Sequence, residues 1–179
     1  MNNTLILLCH PDYRASRANR TMAEAAATLA GVEVAHLDAL YPEGKIDTDA
    51  EVARLLTARR IVLQFPVQWY STPPLLKAWQ DAVLTRMFYI NPTTEGARMA
   101  GRLLLVAVTA GNRSEAYAAS GANLFPMADL LRPLQATAHR CGLDWEEPFL
   151  CYNARAASDE ALAVNAAAYA DMLRKMTTD

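Results

Sequence analysis

The sequence predicts an α/β fold in which a five-stranded parallel sheet is covered by helices on both faces. Short apolar segments alternate regularly with longer helical segments along the 179 residues. The apolar segments are continuous runs, as expected of strands that are covered on both faces. Five rounds of strand and helix favour parallel strands joined by crossover connections. The length suits a single domain that spans residues 1–179 and buries a core.

Each predicted strand is a run of apolar and β-branched residues between turn or helix signals. The first, TLILL, is a continuous apolar run, as expected of a strand covered on both faces. The predicted strands are Thr4–Leu8, Val32–Leu37, Ile61–Phe65, Leu103–Val108 and a segment near Trp145–Tyr152.

A helix is predicted after each strand. Gly31 and Gly142 are placed to end two of the helices, and Pro73 suits a first turn. Asp159 and Glu160 suit the positive N-terminal end of the last helix. The predicted helices are Ser16–Ala30, a segment capped by Asp47 or Thr48 and running to Ala58, Pro73–Arg86, Asp129–Cys141 and Ser158–Met176.

Composition narrows the class of function. A net charge of −2 and a pI near 5.9 disfavour nucleic-acid binding, which usually requires a basic surface. The N-terminus reads as a strand, with neither a signal peptide nor a membrane span, so a cytoplasmic location is expected. Cys9, Cys141 and Cys151 are scattered and expected to be buried reduced thiols. The three histidines show no metal-ligand spacing, so no metal is expected.

Parallel sheets of this kind bind ligands beyond the carboxyl ends of their strands, so the loops after strands one, three and four are the candidate site. The first loop, residues 9–19, contains Ser16 and Asn19 as short donors, with Arg17 adding charge. These residues suit a phosphate at a helix N-terminus, and His10 can bond a phosphate or a ribityl oxygen. The alternative is that Ser16 only caps the helix and His10 is structural.

The second loop, residues 66–74, places Trp69 and Tyr70 side by side between prolines. Such a loop can offer an aromatic wall and backbone amides to a planar ring; alternatively it is an aromatic plug or a dimer contact. In the third loop, which begins at Thr109, Gly111 allows a backbone to approach a ring closely. The alternative for this long loop is a surface excursion with a routine glycine.

Four segments carry a family resemblance: HPDYRASRAN, QFPVQWYSTPPLLKAWQDAVL, GRLLLVAVTAGN and LLRPLQATAHRCG. They resemble the flavodoxin-like NAD(P)H:quinone oxidoreductases, and in particular the ancillary subunits of glutathione-gated potassium efflux antiporters. The resemblance implies a flavodoxin-like three-layer sandwich with strand order 2-1-3-4-5. It also implies a flavin, which is FMN in the short ancillary type and FAD in longer quinone reductases, with NAD(P)H as co-substrate and a homodimer as the assembly.

The resemblance also implies roles for individual residues. Tyr117 matches a tyrosine near the flavin, whereas Asn123 stands where some relatives have a histidine, and TAGN replaces the usual TTGG. The dimer contact is expected at Trp69, Tyr70, Met87, Phe88 and Tyr89. The implied flavin contacts are His10, Ser16, Arg17, Ala18, Asn19, Val67, Gln68, Trp69, Tyr70, Thr109, Ala110, Gly111 and Asn112.

Two functions are therefore expected from this sequence. The first is hydride transfer from NAD(P)H to quinones or similar electrophiles by a ping-pong mechanism. The second is a regulatory subunit that activates a membrane potassium antiporter, which would place the protein peripherally at the inner membrane. An electron-transfer flavodoxin is a weaker third hypothesis, because those proteins are strongly acidic and this chain is not.

Overall fold

The computed structural model describes residues 4–178, which form three layers of helix, sheet and helix. Every strand pair is parallel, and the order is β2-β1-β3-β4-β5, with β6 also paired to β4. This order confirms the prediction. The strands are β1 Thr4–Leu8, β2 Val32–His36, β3 Arg60–Pro66, β4 Leu103–Thr109, β5 Asp144–Trp145 and β6 Phe149–Cys151.

The predicted fifth strand is divided in two. Residues 146–148 lie between β5 and β6, whereas only residues 105–106 separate their partners on β4. One extra residue therefore bulges from the edge. Pro148 falls in this segment and has no N–H to donate to β4, which explains why the pairing breaks there.

The helices follow the predicted pattern but differ from it at their ends. Helix α4 continues into two wider π-type turns, Gln80–Leu84 and Arg86–Ile90, and shorter 3₁₀ turns span Gly96–Met99 and Ser114–Ala116. The α-helices are α1 Ala18–Ala27, α2 Leu37–Leu40, α3 Thr48–Thr57, α4 Pro74–Trp79, α5 Met127–Leu130, α6 Arg132–Arg140 and α7 Asp159–Thr178.

Local signals explain both the correct and the wrong boundaries. Asp47 caps α3 by accepting from the Ala50 N–H, and Gly31 and Gly142 adopt positive φ, as their predicted roles require. The predicted end of strand two at Leu37 is wrong, because Leu37 begins the helical turn α2. The predicted helix from Asp129 is also divided, because Pro133 restarts α6 without an N–H.

Alternating strand residues divide the core between two faces. Leu5, Leu7 and Leu63 face α3, α4 and α6, whereas Ile6 and Val62 face α1 and α7. Both faces of the central strands are therefore buried, as their continuous apolar sequence predicts. The three cysteines are buried and unpaired, as expected. Within residues 4–178, no helix combines the length and hydropathy of a membrane span.

A buried carboxylate fixes α4, the helix that follows the second loop. Glu51 on α3 is fully buried and accepts hydrogen bonds from the Tyr41 hydroxyl and the Trp79 indole N–H, each at 2.8 Å. Arg54 Nε donates to the same carboxylate at 3.2 Å and provides the opposite charge. Because the group is both paired and hydrogen-bonded, it is tolerated in the interior and ties α4 to α3.

Candidate active site

The three predicted loops meet at the carboxyl edge of the sheet. The Asn19 amide, at the start of α1, donates to the Thr109 hydroxyl in the third loop at 2.7 Å. The Val67 N–H in the second loop donates to the Thr109 carbonyl at 2.9 Å. Direct hydrogen bonds thus join all three loops, and Thr109 lies at the junction.

The first loop ends at a helix N-terminus that no side chain of the described residues caps. The Thr21 N–H donates to the Arg17 carbonyl at 3.0 Å in the first turn of this helix, so the N–H groups of Ala18 and Asn19 precede the first intrahelical bond. Ser16 is buried directly before this turn. Open N–H groups and the positive end of the helix dipole make this terminus suitable for an anion.

Two side chains that the sequence assigned to phosphate binding have other partners. Arg17 donates to the Ala157 carbonyl at 3.0 Å and pairs with Asp159 at 2.5 Å, so its guanidinium fixes the start of α7. Asn19 is fully buried and its amide donates to Thr109, so of its donors the backbone N–H is the one left for a phosphate; its role at the phosphate stays a prediction. Ala18, also buried, offers only its backbone N–H.

The Asn19 amide belongs to a buried polar network that the sequence did not reveal. Gln64 on β3 donates to the Asn19 carbonyl at 2.9 Å, and the Tyr169 hydroxyl on α7 donates to Gln64 Oε1 at 3.2 Å. All of these side chains are buried. The network joins α1, β3, β4 and α7 behind the loops, so it holds their geometry.

Removing the Asn19 amide is expected to destabilise the fold. Asn19→Ala removes the donor to the buried Thr109 hydroxyl and the Asn19 Oδ1 acceptor that lies 3.4 Å from Gln64 Nε2, at roughly 1–3 kcal/mol for each buried group left unsatisfied. We expect the free energy of unfolding in urea to fall by about 2–4 kcal/mol. Asn165→Ala, which removes an exposed bond to the Ala161 carbonyl, is the control and should change it by less than about 0.5 kcal/mol. Equal effects of the two substitutions would contradict the network's importance.

The His10 ring in the first loop keeps one hydrogen-bond donor. Its Nδ1 accepts from the Asp12 N–H at 3.1 Å, and burial lowers the pKa of the ring below its ordinary value. The neutral ring therefore carries its proton on Nε2. A donor at this position suits a phosphate or a sugar oxygen, as the sequence predicts.

The second loop contains a strained turn. Gln68 and Ser71 exchange both backbone hydrogen bonds at 3.0 Å, and the two residues between them, Trp69 and Tyr70, have φ of +46° and +65°. This is the geometry of a type I′ turn, which normally takes asparagine and glycine. Non-glycine residues held in this way cost of order 1–3 kcal/mol each, and such strain clusters at functional sites.

The aromatic side chains on this turn are exposed. The Trp69 side chain is 93% exposed and that of Tyr70 is 48% exposed. A cavity of about 170 Å³ lies under the turn between α4 and α6, and Phe65 and Val67 form part of its wall. A second cavity of about 320 Å³ is lined by Tyr70 and by the loop that contains Asn123 and Phe125, and the Tyr70 hydroxyl donates to Asn123 Oδ1 at 3.4 Å. The turn therefore presents aromatic surface beside open space.

The third loop supplies the other wall of the site. Ala110 is buried, donates to the Cys151 carbonyl and accepts from the Ala154 N–H, each at 2.9 Å. The Asn112 carbonyl accepts from the Asn153 N–H at 2.8 Å. A side chain added at Gly111 would meet nothing within 4 Å, and its φ lies outside the left-handed region. Neither packing nor backbone conformation therefore requires this glycine, which leaves room for a ligand.

Tyr117 lies between the second loop and β6. Its ring centroid is 5.5 Å from that of Tyr152, and the half-buried side chain packs against the core. Burial, and secondarily the neighbouring Tyr70, raise the pKa of Tyr117, so its hydroxyl remains a donor. Tyr152 was not predicted as a site residue, and it forms a group of three neighbouring tyrosines with Tyr117 and Tyr70.

Comparisons with known proteins agree with this geometry. A family model described as flavodoxin-like fold matches residues 2–173. The glutathione-regulated potassium-efflux system ancillary protein KefF of Citrobacter koseri is 43% identical over 170 residues, which is 94% of each chain. NAD(P)H oxidoreductase YdeQ of Bacillus subtilis is 38% identical, covering 93% of this chain and 83% of YdeQ.

A solved structure extends the comparison to three dimensions. General stress protein 14 of Treponema denticola, determined in complex with FMN, is 34% identical with a TM-score of 0.89. The match covers 97% of this chain and 98% of that protein. On the sequence match, the sheet order and these relatives together, the chain belongs to the family with the flavodoxin-like fold.

Proposed function

We propose that this protein is an FMN-dependent oxidoreductase that transfers hydride from NAD(P)H to quinones or similar small electrophiles. The observation that carries the proposal is the strained, exposed aromatic turn at Trp69 and Tyr70, in a loop that Thr109 joins by hydrogen bonds to the uncapped N-terminus of α1. Two relatives support it, because one is named an NAD(P)H oxidoreductase and another was solved with FMN.

The residues present fit FMN. The backbone N–H groups of Ala18 and Asn19, with the Ser16 hydroxyl and His10 Nε2, would hold the phosphate and the ribityl chain. Trp69, Tyr70 and Val67 would form the aromatic and apolar wall of the ring. Gly111 would let the ring approach the third loop, since the space over it is open. FAD, the alternative cofactor, needs an additional adenine site.

The protein's part in the chemistry is to bind, orient and supply hydrogen bonds. When bound, FMN supplies the group that accepts and later releases hydride. The N–H groups of Gly111 and Asn112, and the Tyr117 hydroxyl, would donate to the ring edge where negative charge develops. The exposed surface at Trp69 and Tyr70 serves the nucleotide and then the acceptor, which gives a ping-pong order.

A steady-state assay tests the proposed activity. Purified protein loaded with FMN should oxidise NADH or NADPH at a rate that depends on added menadione, with parallel lines in double-reciprocal plots. The same preparation stripped of flavin is the control and should be inactive until FMN is restored. Oxidation that is independent of FMN, or no oxidation with either nucleotide, would contradict the proposal.

Tyr117 is the proposed catalytic donor. We expect Tyr117→Phe to slow flavin reduction by NAD(P)H about ten- to a hundredfold, because a lost hydrogen bond to a charged group is worth roughly 1.5–3 kcal/mol. Stopped-flow absorbance measures this step, and FMN affinity should remain nearly unchanged. Tyr152→Phe is the matched control, since it alters the neighbouring ring without removing the proposed donor. Reduction at wild-type speed in Tyr117→Phe would assign the hydroxyl a packing role.

The homodimer is also part of this proposal. Trp69, Tyr70, Tyr89 and Ile90 are all exposed, and such a surface is typical of an interface. The expectation that Met87 joins this surface is wrong, because Met87 is fully buried in the core. Light scattering at micromolar concentration should give twice the chain mass of 19.6 kDa, whereas a monomer would contradict the dimer.

A second candidate function is the activation of a potassium efflux antiporter. The 43% identity to KefF over most of both chains favours it. In this case the protein works in the cytoplasm, at the inner membrane through its partner. Potassium efflux from cells that express the cognate antiporter should rise when this protein is co-expressed. Unchanged efflux would exclude this function without affecting the reductase activity.

A further inference from the structure

A carboxylate in the helical turn after β2 contacts the first loop. Asp38, in the first turn of α2, accepts a hydrogen bond from the His10 N–H at 2.7 Å through Oδ2. The buried Cys9 thiol is close to the same carboxylate. Burial, and secondarily Asp38, raises the pKa of the thiol and keeps it protonated. One carboxylate thus fixes the His10 backbone and neighbours Cys9 at the start of the loop.

A neighbouring histidine supports the middle of the same loop. The His36 ring lies 4.6 Å from the Tyr13 ring, centroid to centroid, and the Tyr13 carbonyl accepts from the Ser16 N–H at 3.1 Å. His36 Nε2 is 3.8 Å from Asp38 Oδ2. The His36–Asp38 segment therefore lies against the loop from His10 to Ser16.

We propose that Asp38 is a positioning residue for cofactor binding, which holds the first loop in the shape that receives the phosphate. The inference rests on the proposed function of that loop. The loop contains no glycine and its backbone direction at His10 is set by a charge-assisted bond, which is stronger than a neutral one. Because this bond already orders the loop, the loop loses less conformational entropy when the cofactor binds.

Electrostatics alone gives the opposite expectation for this residue. A carboxylate near a phosphate site repels the phosphate, so removal of Asp38 would tighten binding if its charge were what mattered. Removal would weaken binding if the carboxylate acts by holding His10. The sign of the change in affinity therefore separates the two accounts.

The test compares FMN with riboflavin, which lacks the phosphate, by titration of flavin-free protein followed by flavin fluorescence. We expect Asp38→Ala to raise the Kd for FMN about ten- to a hundredfold and the Kd for riboflavin much less. Asp38→Asn keeps an acceptor for the His10 N–H and should stay within about threefold of wild type. Asp47→Ala removes a comparable carboxylate that caps α3, and should lower Tm without changing either Kd.

Each other outcome overturns the inference. An unchanged or lower Kd for FMN in Asp38→Ala would show that the carboxylate does not position the loop. An equal loss for FMN and riboflavin would indicate a general structural role. If Asp38→Ala does not fold, Asp38→Ser replaces it in the same comparison. Wild-type protein that binds neither flavin would overturn the proposed function and, with it, this inference.

Discussion

The Gly111→Val substitution is expected to weaken FMN binding at least a hundredfold while leaving the free energy of unfolding within about 0.5 kcal/mol of wild type. In the folded chain, a Cβ at this position would meet nothing within 4 Å, and the backbone does not require glycine. The isopropyl group would instead occupy the space assigned to the ring. Overpacking of this kind costs about 1–3 kcal/mol or more, mainly in the complex.

Gly101 offers a matched control for this prediction. A Cβ there also meets nothing within 4 Å, but Gly101 has a φ of +72° and lies at the opposite edge of the sheet, before β4. Gly101→Val should therefore lower the free energy of unfolding by about 1–3 kcal/mol and leave FMN affinity unchanged. Flavin fluorescence titration and urea unfolding measure both quantities. Undiminished FMN affinity in Gly111→Val would show that the flavin ring does not lie against the third loop.

The second large effect is expected at the strained turn. The double substitution Trp69→Asn and Tyr70→Gly installs the residues that a type I′ turn prefers. Relief of strain at two positive-φ residues, offset by the entropy of glycine, should raise the free energy of unfolding by about 1–3 kcal/mol. Loss of the aromatic wall should weaken FMN binding about ten- to a hundredfold.

A conservative variant separates the backbone of the turn from its aromatic surface. Trp69→Phe keeps both an aromatic ring and the strained backbone, so stability and FMN affinity should each stay near wild type. Urea unfolding and fluorescence titration of the two variants provide the comparison. A double variant that is more stable and still binds FMN normally would show that the strain has no connection to the cofactor.

The sequence predicts the central strands of the sheet better than the edge strand, which is divided into β5 and β6. Continuous apolar segments such as TLILL and IVLQF require cover on both faces, and this requirement leads to the parallel sheet that the structure shows, whereas the strand order followed from the family resemblance. The break between β5 and β6 depends on the register against β4, which is a tertiary property. Pro148 was visible in the sequence, but its effect depends on which residue it faces.

The sequence predicts where the candidate site lies, but it does not predict all of the hydrogen bonds that its residues make. The three loops meet because parallel strands end at one edge, and this follows from topology. Asn19 was assigned to the phosphate because its residue type suits that role. Its actual partners, Thr109 and Gln64, lie on β4 and β3, and Tyr169 on α7 joins the network through Gln64; no local pattern indicates these contacts.

Sequence patterns also could not predict the backbone strain at Trp69 and Tyr70. Type I′ turns are recognised by asparagine and glycine, and this turn has neither. The surrounding prolines and the paired hydrogen bonds between Gln68 and Ser71 impose the conformation. A local conflict of this kind between residue type and backbone is common where function outweighs stability.

Identification of the bound cofactor and its reduction in one experiment tests the central claim most directly. Purified protein is divided: one part is denatured and the released flavin identified by mass spectrometry, and the other is titrated anaerobically with NADH and NADPH. We predict one FMN per chain, loss of the flavin absorbance on addition of nucleotide, and its return with menadione. Release of FAD, the absence of any flavin after reconstitution, or a flavin that neither nucleotide reduces would contradict the account.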